Sequence, residues 1–159
     1  MGATDRPLES GTVAGAALLR WDHVGLNVAD LDAAIAWYEQ VLGLRPERQF
    51  AVAGTGLRGA MLVHSAGYRL ELIERSGSVP GVQASGPGEA ALTRGFGHIA
   101  FQVADLDGIY AAMLAAGASA RVPPTDAPRP GARMAWVADP EGNLIELITP
   151  RADEPAPIS

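Results

Sequence analysis

The chain has 159 residues, of which 48% are apolar and 19% are charged, and its formal net charge is −6. This size and composition fit one globular domain or two very small fused units. An acidic chain repels phosphate backbones and anionic lipids, so we expect neither nucleic acid nor a membrane as partner. No apolar run approaches the roughly 20 residues that a membrane-spanning helix needs. The apolar segment 13–19 is too short for a signal peptide and is flanked by charge, which predicts a cytoplasmic protein.

Two residue types are missing from the sequence. There is no cysteine, and all 12 basic residues are arginines. Thiolate nucleophiles, disulfides and sulfur-ligated metals are therefore excluded, as are Schiff-base lysines and the lysine of a phosphate-binding loop. Acid–base groups and metal ligands must come from histidine, aspartate, glutamate, tyrosine or the backbone.

The first half of the chain has the pattern of one βαβββ module. After an N-terminal tail (residues 1–19), the module is predicted over 20–74. An alternating apolar and polar pattern predicts its first strand, and apolar residues at helical spacing predict the helix that follows. Asp30 or Asp32 caps this helix and Gly43 ends it. The predicted elements are a strand at 21–28, a helix at 31–42, and strands near 46–53, 57–64 and 68–74.

The second half of the chain repeats this order. A linker (75–95) rich in Gly, Ser and Pro separates the modules, and a C-terminal tail (151–159) follows the second module (96–150). The segment Asp139-Pro-Glu-Gly-Asn143 predicts a tight turn before the last strand. The predicted elements are a strand at 96–103, a helix at 106–116 that ends at Gly117, and strands near 119–122, 133–138 and 143–149.

The two modules are copies of each other. The ten residues that begin at His23 align with the ten that begin at His98, with six identities and an offset of 75 residue numbers. The same offset places Glu71 on Glu146 without a gap. A gap-free repeat of this length predicts a duplicated architecture. The expected fold is α+β, with two tandem βαβββ modules that form a cupped, partly barrel-like mixed sheet with helices on the outside.

Strand alternation places one histidine and one carboxylate of each module on the same face. His23 and Glu71 lie opposite the apolar side chains that pack on the helix, and His98 and Glu146 repeat this placement. A carboxylate among apolar strand neighbours is costly to bury unless it is paired or bound to a metal. A two-fold pairing of the modules would bring two imidazoles and two carboxylates to one point. This donor set suits one divalent ion per site, such as Ni, Co, Mn, Fe or Zn.

Five further residues are candidate substrate contacts. Arg58 and Arg133 occupy equivalent positions, where they either bind an anionic substrate tail or face solvent from their strands. Trp21, Phe96 and Trp136 either line the cup or only pack against neighbouring side chains.

Several motifs resemble the vicinal oxygen chelate superfamily (glyoxalase, bleomycin resistance and extradiol dioxygenase proteins). They are Trp21-Asp-His-Val-Gly-Leu-Asn-Val28, Trp37-Tyr-Glu-Gln-Val-Leu-Gly43, Gly97-His-Ile-Ala100 and Asp139-Pro-Glu-Gly-Asn-Leu-Ile-Glu-Leu147. The resemblance covers roughly residues 20–150. It implies paired modules that form a cup around a metal, either within one chain or across a dimer, and we expect a homodimer.

The ligand set is most similar to that of bacterial glyoxalase I, the lactoylglutathione lyase. This similarity implies a metal-dependent lyase or isomerase that acts on a small substrate with vicinal oxygens. It implies proton transfer through a metal-bound enediolate, with Glu146 as the base and Glu71 as its partner. The motifs leave the substrate, the use of a thiol adduct and the identity of the metal open.

Two other functions are compatible with the resemblance. An Fe(II) extradiol-type or biosynthetic dioxygenase would use His23, His98 and Glu146, would leave Glu71 spare, and would need a further acid–base group. His64 is the remaining histidine of the sequence. The other alternative is an antibiotic-binding resistance protein, although such members often lack the metal ligands.

Overall fold

Each half of the chain folds as a βαβββ module, as the repeat predicted. The computed structural model describes residues 20–150, so the two predicted tails lie outside the described residues. The first module comprises β1 (Val24–Val28), α1 (Leu31–Leu42), β2 (Arg45–Val52), β3 (Leu57–Val63) and β4 (Arg69–Arg75). A short helix, α2 (Pro87–Ala90), follows in the predicted linker. The second module comprises β5 (Ile99–Gln102), α3 (Leu106–Ala115), β6 (Ser119–Asp126), β7 (Arg133–Ala138) and β8 (Leu144–Ile148).

Both long helices begin at an aspartate cap. The side chain of Asp30 accepts a hydrogen bond from the amide of Ala33 at 3.0 Å, and Asp105 accepts one from Gly108 at 2.9 Å. Helix α1 ends at Gly43, whose φ of 64° lies in the left-handed region that glycine adopts without strain. No helix within residues 20–150 is long and apolar enough to cross a membrane.

The strands form two sheets of four, in the orders β1-β4-β3-β2 and β5-β8-β7-β6. The first and last strands of each module run parallel, and the other neighbours are antiparallel. The predicted α+β fold of two βαβββ modules with mixed sheets and helices is therefore confirmed. Within the described chain the two sheets remain separate and do not close into a barrel. No strand in that part of the chain pairs with the outer edge of β1 or β5.

The two modules contact each other through the faces of their sheets that carry the helices. One apolar core contains buried residues of α1, of α3 and of both sheets. The hydroxyl of Tyr38 in α1 donates to the buried carboxylate of Asp139 in the second module at 2.8 Å. The indole of Trp37 donates to the carbonyl of Ala116 at 2.9 Å. We call the opposite face of each sheet, which points away from this shared core, the cup face.

Candidate metal centre

Each module brings its own histidine and glutamate together on the cup face. His23 Nε2 lies 3.4 Å from Glu71 Oε2, and His98 Nε2 lies 3.5 Å from Glu146 Oε2. We call these pairs the first and the second half-site. All four side chains are partly exposed, so both half-sites are accessible from solvent in this chain.

The strand register accounts for this duplication. Gly25 is the residue of β1 opposite Glu71, and Ala100 is the residue of β5 opposite Glu146. A Cβ atom on Gly25 would meet Glu71 Oε2 at an ordinary contact distance of 3.8 Å, so alanine, the residue that stands at position 100 of the second module, also fits there. The small residues therefore leave space beside each carboxylate.

The distances within each half-site fit two ligands of one metal ion. Metal–nitrogen and metal–oxygen bonds of about 2.0–2.2 Å place neighbouring ligand atoms roughly 3.0–3.5 Å apart in tetrahedral or octahedral geometry. Imidazole and carboxylate donors also suit a divalent transition metal. Among residues 20–150, however, no group of three or more His, Asp or Glu side chains forms a metal-binding cluster. A single chain thus brings the predicted ligands together as two pairs, and it does not unite all four.

A carboxylate orients the histidine of the first half-site. Asp22 Oδ1 lies 2.7 Å from His23 Nδ1, which leaves Nε2 of the ring to face Glu71. The hydrogen bond to Asp22 raises the pKa of His23, and the Glu71 charge raises it further. The same hydrogen bond lowers the pKa of Asp22. Arg69 links this group to the rest of the cup face, with Nη1 3.6 Å from Asp22 and Nη2 3.1 Å from Glu47. Asp22 was not among the predicted site residues, although it directly precedes a candidate ligand in the sequence.

The second half-site is built differently. Gly97 stands at the position equivalent to Asp22, so His98 has no carboxylate at that point. The ring of Trp136 contacts His98 edge to face, with the ring centroids 4.6 Å apart. Trp136 is 6% exposed, and its indole Nε1 has no hydrogen-bond partner among the described residues. Of the predicted substrate contacts, Trp136 is the one that the structure brings to a half-site within the chain.

Arg58 and Arg133 pair with carboxylates near the starts of the two long helices. Arg58 lies 3.0 Å from Asp32 and 2.9 Å from Glu74, and Arg133 lies 2.6 Å from Asp107. These partners raise the pKa values of both arginines, and the arginines lower those of Glu74 and Asp107. Strand alternation puts both guanidinium groups on the faces that carry the helices. The structure therefore does not bring either arginine to a half-site.

Trp21 and Phe96 occupy equivalent positions, each two residues before a half-site histidine. Trp21 is 78% exposed and Phe96 is fully exposed at 105%. In the described chain both rings face solvent, and Phe96 also lines a cavity that it shares with His98.

His64 lies apart from both half-sites. Its ring stacks on Tyr68 with centroids 4.5 Å apart, and its Nδ1 accepts a hydrogen bond from the amide of Ala66 at 3.0 Å. The ring lies near Gly43 at the end of α1, on the side of the sheet that carries the helix. His64 is therefore not placed as a further acid–base group beside His23 and Glu71.

The fold and the duplicated pairs define a class of paired βαβββ proteins with His/Glu pairs on their cup faces. The chain belongs to the Glyoxalase/Bleomycin resistance protein/Dioxygenase superfamily, whose sequence profile matches residues 20–147. The resemblance carried by the motifs is thus confirmed. A protein of Vibrio parahaemolyticus serotype O3:K6, named probable lactoylglutathione lyase, is 30% identical over 133 residues, which cover 79% of this chain and 87% of that protein.

Solved structures show the same fold. A glyoxylase/bleomycin resistance protein/dioxygenase domain from Frankia sp. EAN1pec matches with a TM-score of 0.69 and 23% identity, over 86% of this chain and 95% of that chain. A glyoxalase family protein from Bacillus cereus matches with a TM-score of 0.69 and 25% identity, over 89% and 100%. Glyoxalase I from Zea mays matches with a TM-score of 0.66 and 23% identity, over 81% of this chain and 44% of that longer chain.

Proposed function

We propose that this protein is a metal-dependent lyase or isomerase of the glyoxalase I type. It would move a proton between neighbouring carbons of a small substrate that carries vicinal oxygens. The observation that carries the proposal is the duplicated pair, with histidine and glutamate 3.4 and 3.5 Å apart in the two modules. A glutamate in both half-sites suits proton transfer, because one carboxylate can act as base while the other stays a ligand. Membership of the superfamily and the relative named as a lyase support this proposal.

We further propose that the complete site forms between two copies of the chain. The first half-site of one copy would face the second half-site of its partner, and a two-fold axis would create two identical sites. Three features support a homodimer. No three of the proposed ligands form a metal-binding group within one described chain, the outer edges of β1 and β5 are unpaired there, and Trp21 and Phe96 are exposed. Pairing β1 of one copy with β5 of the other would cover both edges and both rings.

Each ligand residue has a defined task in this proposal. His23, Glu71, His98 and Glu146 would together hold a divalent ion, which would polarise the substrate's adjacent oxygens as a Lewis acid. Glu146 removes the proton from the carbon beside the carbonyl, and the C–H electron pair moves toward the carbonyl oxygen. Glu146, with Glu71 as its partner, then returns the proton to the former carbonyl carbon. The hydroxyl proton passes to the former carbonyl oxygen, so that the carbonyl and the hydroxyl exchange places.

Metal analysis and two glutamate variants test the proposal. We expect one tightly bound divalent ion per chain, since each site takes one half-site from each copy. Glu146→Gln keeps an oxygen ligand but removes the base, and its turnover of a hemithioacetal or α-hydroxycarbonyl substrate should fall by roughly 10²–10⁴-fold. Glu39→Gln, on the exposed surface of α1, is the matched control and should leave turnover unchanged.

Three results would contradict the proposal. Purified protein that binds no divalent ion would exclude the metal site. Full turnover in both Glu71→Gln and Glu146→Gln would exclude glutamate as the base. Turnover that stops under strict anaerobiosis would favour the dioxygenase instead, because proton transfer consumes no oxygen.

A further inference from the structure

The side chain of Trp136 lies beside both members of the second half-site. Its ring meets the imidazole of His98 edge to face, with the centroids 4.6 Å apart and the ring planes at 70°. Trp136 is also the register partner of Glu146 on the neighbouring strand. Cross-strand partners point to the same face of a sheet, so the indole shares the cup face with the proposed ligands.

Apolar packing holds the Trp136 ring in place. The residue is 6% exposed and packs in a small cluster with Ala84 of the linker and Leu144 of β8. Nε of Arg121 donates to the carbonyl of Ala84 at 3.1 Å, which fastens this part of the linker to the second sheet. The side chain of His98, by contrast, is 42% exposed. A closely packed ring restricts the rotation of a more exposed side chain that it touches.

The indole nitrogen of Trp136 does not account for a tryptophan at this position. Nε1 is buried and has no hydrogen-bond partner among residues 20–150. A buried donor without a partner costs free energy, so the N–H group does not stabilise this part of the chain. The ring, and not the N–H group, therefore makes the favourable contacts of this side chain.

The first half-site fixes its histidine in a different way. Met61 stands at the position equivalent to Trp136 and is equally buried, at 6% exposure. The histidine there is held by Asp22 through a hydrogen bond of 2.7 Å, whereas Gly97 stands at the equivalent position before His98. Each half-site thus has one contact that restrains its histidine, a carboxylate in the first and an aromatic ring in the second.

We infer that Trp136 is a positioning residue that holds the imidazole of His98 with Nε2 toward Glu146. The inference rests on the proposed function, because both neighbours are proposed metal ligands. The ring acts through His98 and does not itself bind the metal. Since the edge-to-face contact restrains the imidazole beforehand, less side-chain freedom is lost when the metal binds.

The zinc affinity of full-length, metal-free protein, measured by competition with a chromophoric chelator, tests this role. Trp136→Met introduces the residue of the first module, removes the ring and should weaken zinc binding about fivefold. Trp136→Phe keeps a ring and loses no hydrogen bond, so its zinc affinity should stay within twofold of wild type. Met134→Ala is the matched control and should also stay within twofold, since it removes packing from the same cluster but no ring beside His98.

A transplanted carboxylate separates the orientation of His98 from packing. No heavy atom lies within 4 Å of the place where a Cβ atom on Gly97 would be, and the φ of this glycine is not positive, so aspartate fits there. Trp136→Met combined with Gly97→Asp supplies the carboxylate that precedes the histidine of the first half-site. This double variant should regain most of the lost zinc affinity, although a carboxylate adds nothing to the apolar cluster.

NMR of the metal-free wild-type protein tests the contact without any metal. A nuclear Overhauser effect between the ring protons of His98 and Trp136 should be present, because the centroids lie 4.6 Å apart. Its absence would overturn the inference, and this measurement remains available if a variant does not fold.

The zinc titrations have four outcomes that would also overturn the inference. The first is zinc affinity within twofold of wild type in Trp136→Met. Equal losses in Trp136→Met and Met134→Ala would assign the effect to packing, and equal losses in Trp136→Met and Trp136→Phe would assign it to the N–H group. A folded double variant that regains no affinity would contradict the orienting role.

The failures of the two proposals are distinguishable. If wild-type protein binds zinc and the Trp136 variants bind it equally well, the proposed metal site stands and only the positioning role is lost. Wild-type protein that binds no divalent ion would refute the proposed function, and the inference would fail with it.

Discussion

Replacing Asp22 by asparagine removes one negative charge beside a proposed metal ligand and leaves all four ligands in place. Asp22 Oδ1 lies 2.7 Å from His23 Nδ1, and the hydrogen bond between them raises the pKa of His23. Carboxylates that hold the outer nitrogen of a metal-binding histidine typically contribute 10–100-fold to metal affinity. Because Asp22 is exposed and supports one ligand of four, we expect about a tenfold loss, at the lower end of that range.

The assay is a competition titration of metal-free protein and a chromophoric chelator with zinc at pH 7.5. Asp107→Asn is the matched control, since it also removes a paired carboxylate but lies beside Arg133 and outside the half-sites. Its metal affinity should remain at the wild-type value. The His23→Ala variant should lose its metal, which shows that the assay reports on this site. If zinc affinity then falls by less than twofold in Asp22→Asn, the proposed orienting role of Asp22 is refuted.

The pH dependence of the metal-free protein gives a second readout of the same contact. A histidine whose pKa is raised in the folded state stabilises that state fully below its unfolded pKa of about 6.5. This contribution disappears as the pH rises through the raised pKa of His23. Asp22→Asn should therefore lower the unfolding free energy more at pH 5.5 than at pH 9, and NMR should show the pKa of His23 moving toward its ordinary value. An equal loss at both pH values would contradict this assignment.

Three further predictions concern residues outside the half-sites. Tyr38→Phe removes the buried hydrogen bond to Asp139 and should lower the free energy of unfolding, measured in urea, by about 1.5–3 kcal/mol. The control Tyr110→Phe should change it by no more than about 0.5 kcal/mol. Equal effects of the two substitutions would show that the hydrogen bond contributes nothing specific. Phe96→Glu places a charge on the proposed dimer surface, so analytical ultracentrifugation should show a shift from dimer toward monomer. If the variant remains dimeric, the interface lies elsewhere. Arg133→Gln should change turnover by less than twofold, and a tenfold loss would restore this arginine as a substrate contact.

The pairing of histidine and glutamate could be predicted from sequence for two reasons. Strand alternation places both side chains on one face, and their spacing along the chain is the same in both modules. Any strand that places Leu72 on the core side places Glu71 on the other, and the second module repeats the pattern without a gap. The same counting would have placed Arg58 on the core side with Ala60 and Leu62, away from the cup. Strand alternation alone therefore argues against Arg58 as a substrate contact on the cup face.

Other features depended on tertiary contacts that periodicity does not encode. Strand β6 continues to Asp126, beyond the predicted end at 122, although it contains Pro123 and Pro124. It is an edge strand whose pairing with β7 is interrupted between Val122 and Thr125, so the register there requires no amide from either proline. The packing of one module on the other includes contacts such as Tyr38 with Asp139, which join residues far apart in sequence.

The two modules of the chain differ in the residues that surround their half-sites, so the proposed site is asymmetric. The first half-site has charged surroundings, with Asp22 and Arg69 close to its histidine, whereas beside the second half-site Trp136 packs with Ala84 and Leu144. The proposed two-fold assembly of unlike half-sites would therefore surround each ion with one polar wall and one apolar wall. A symmetric pair of identical half-sites could not distinguish the two ends of a substrate. The proposed isomerase has to distinguish these two ends, because it removes a proton from one carbon and returns it to the neighbouring carbon. The differences between the modules, more than their shared ligands, are therefore where the specificity of the proposed reaction should be sought.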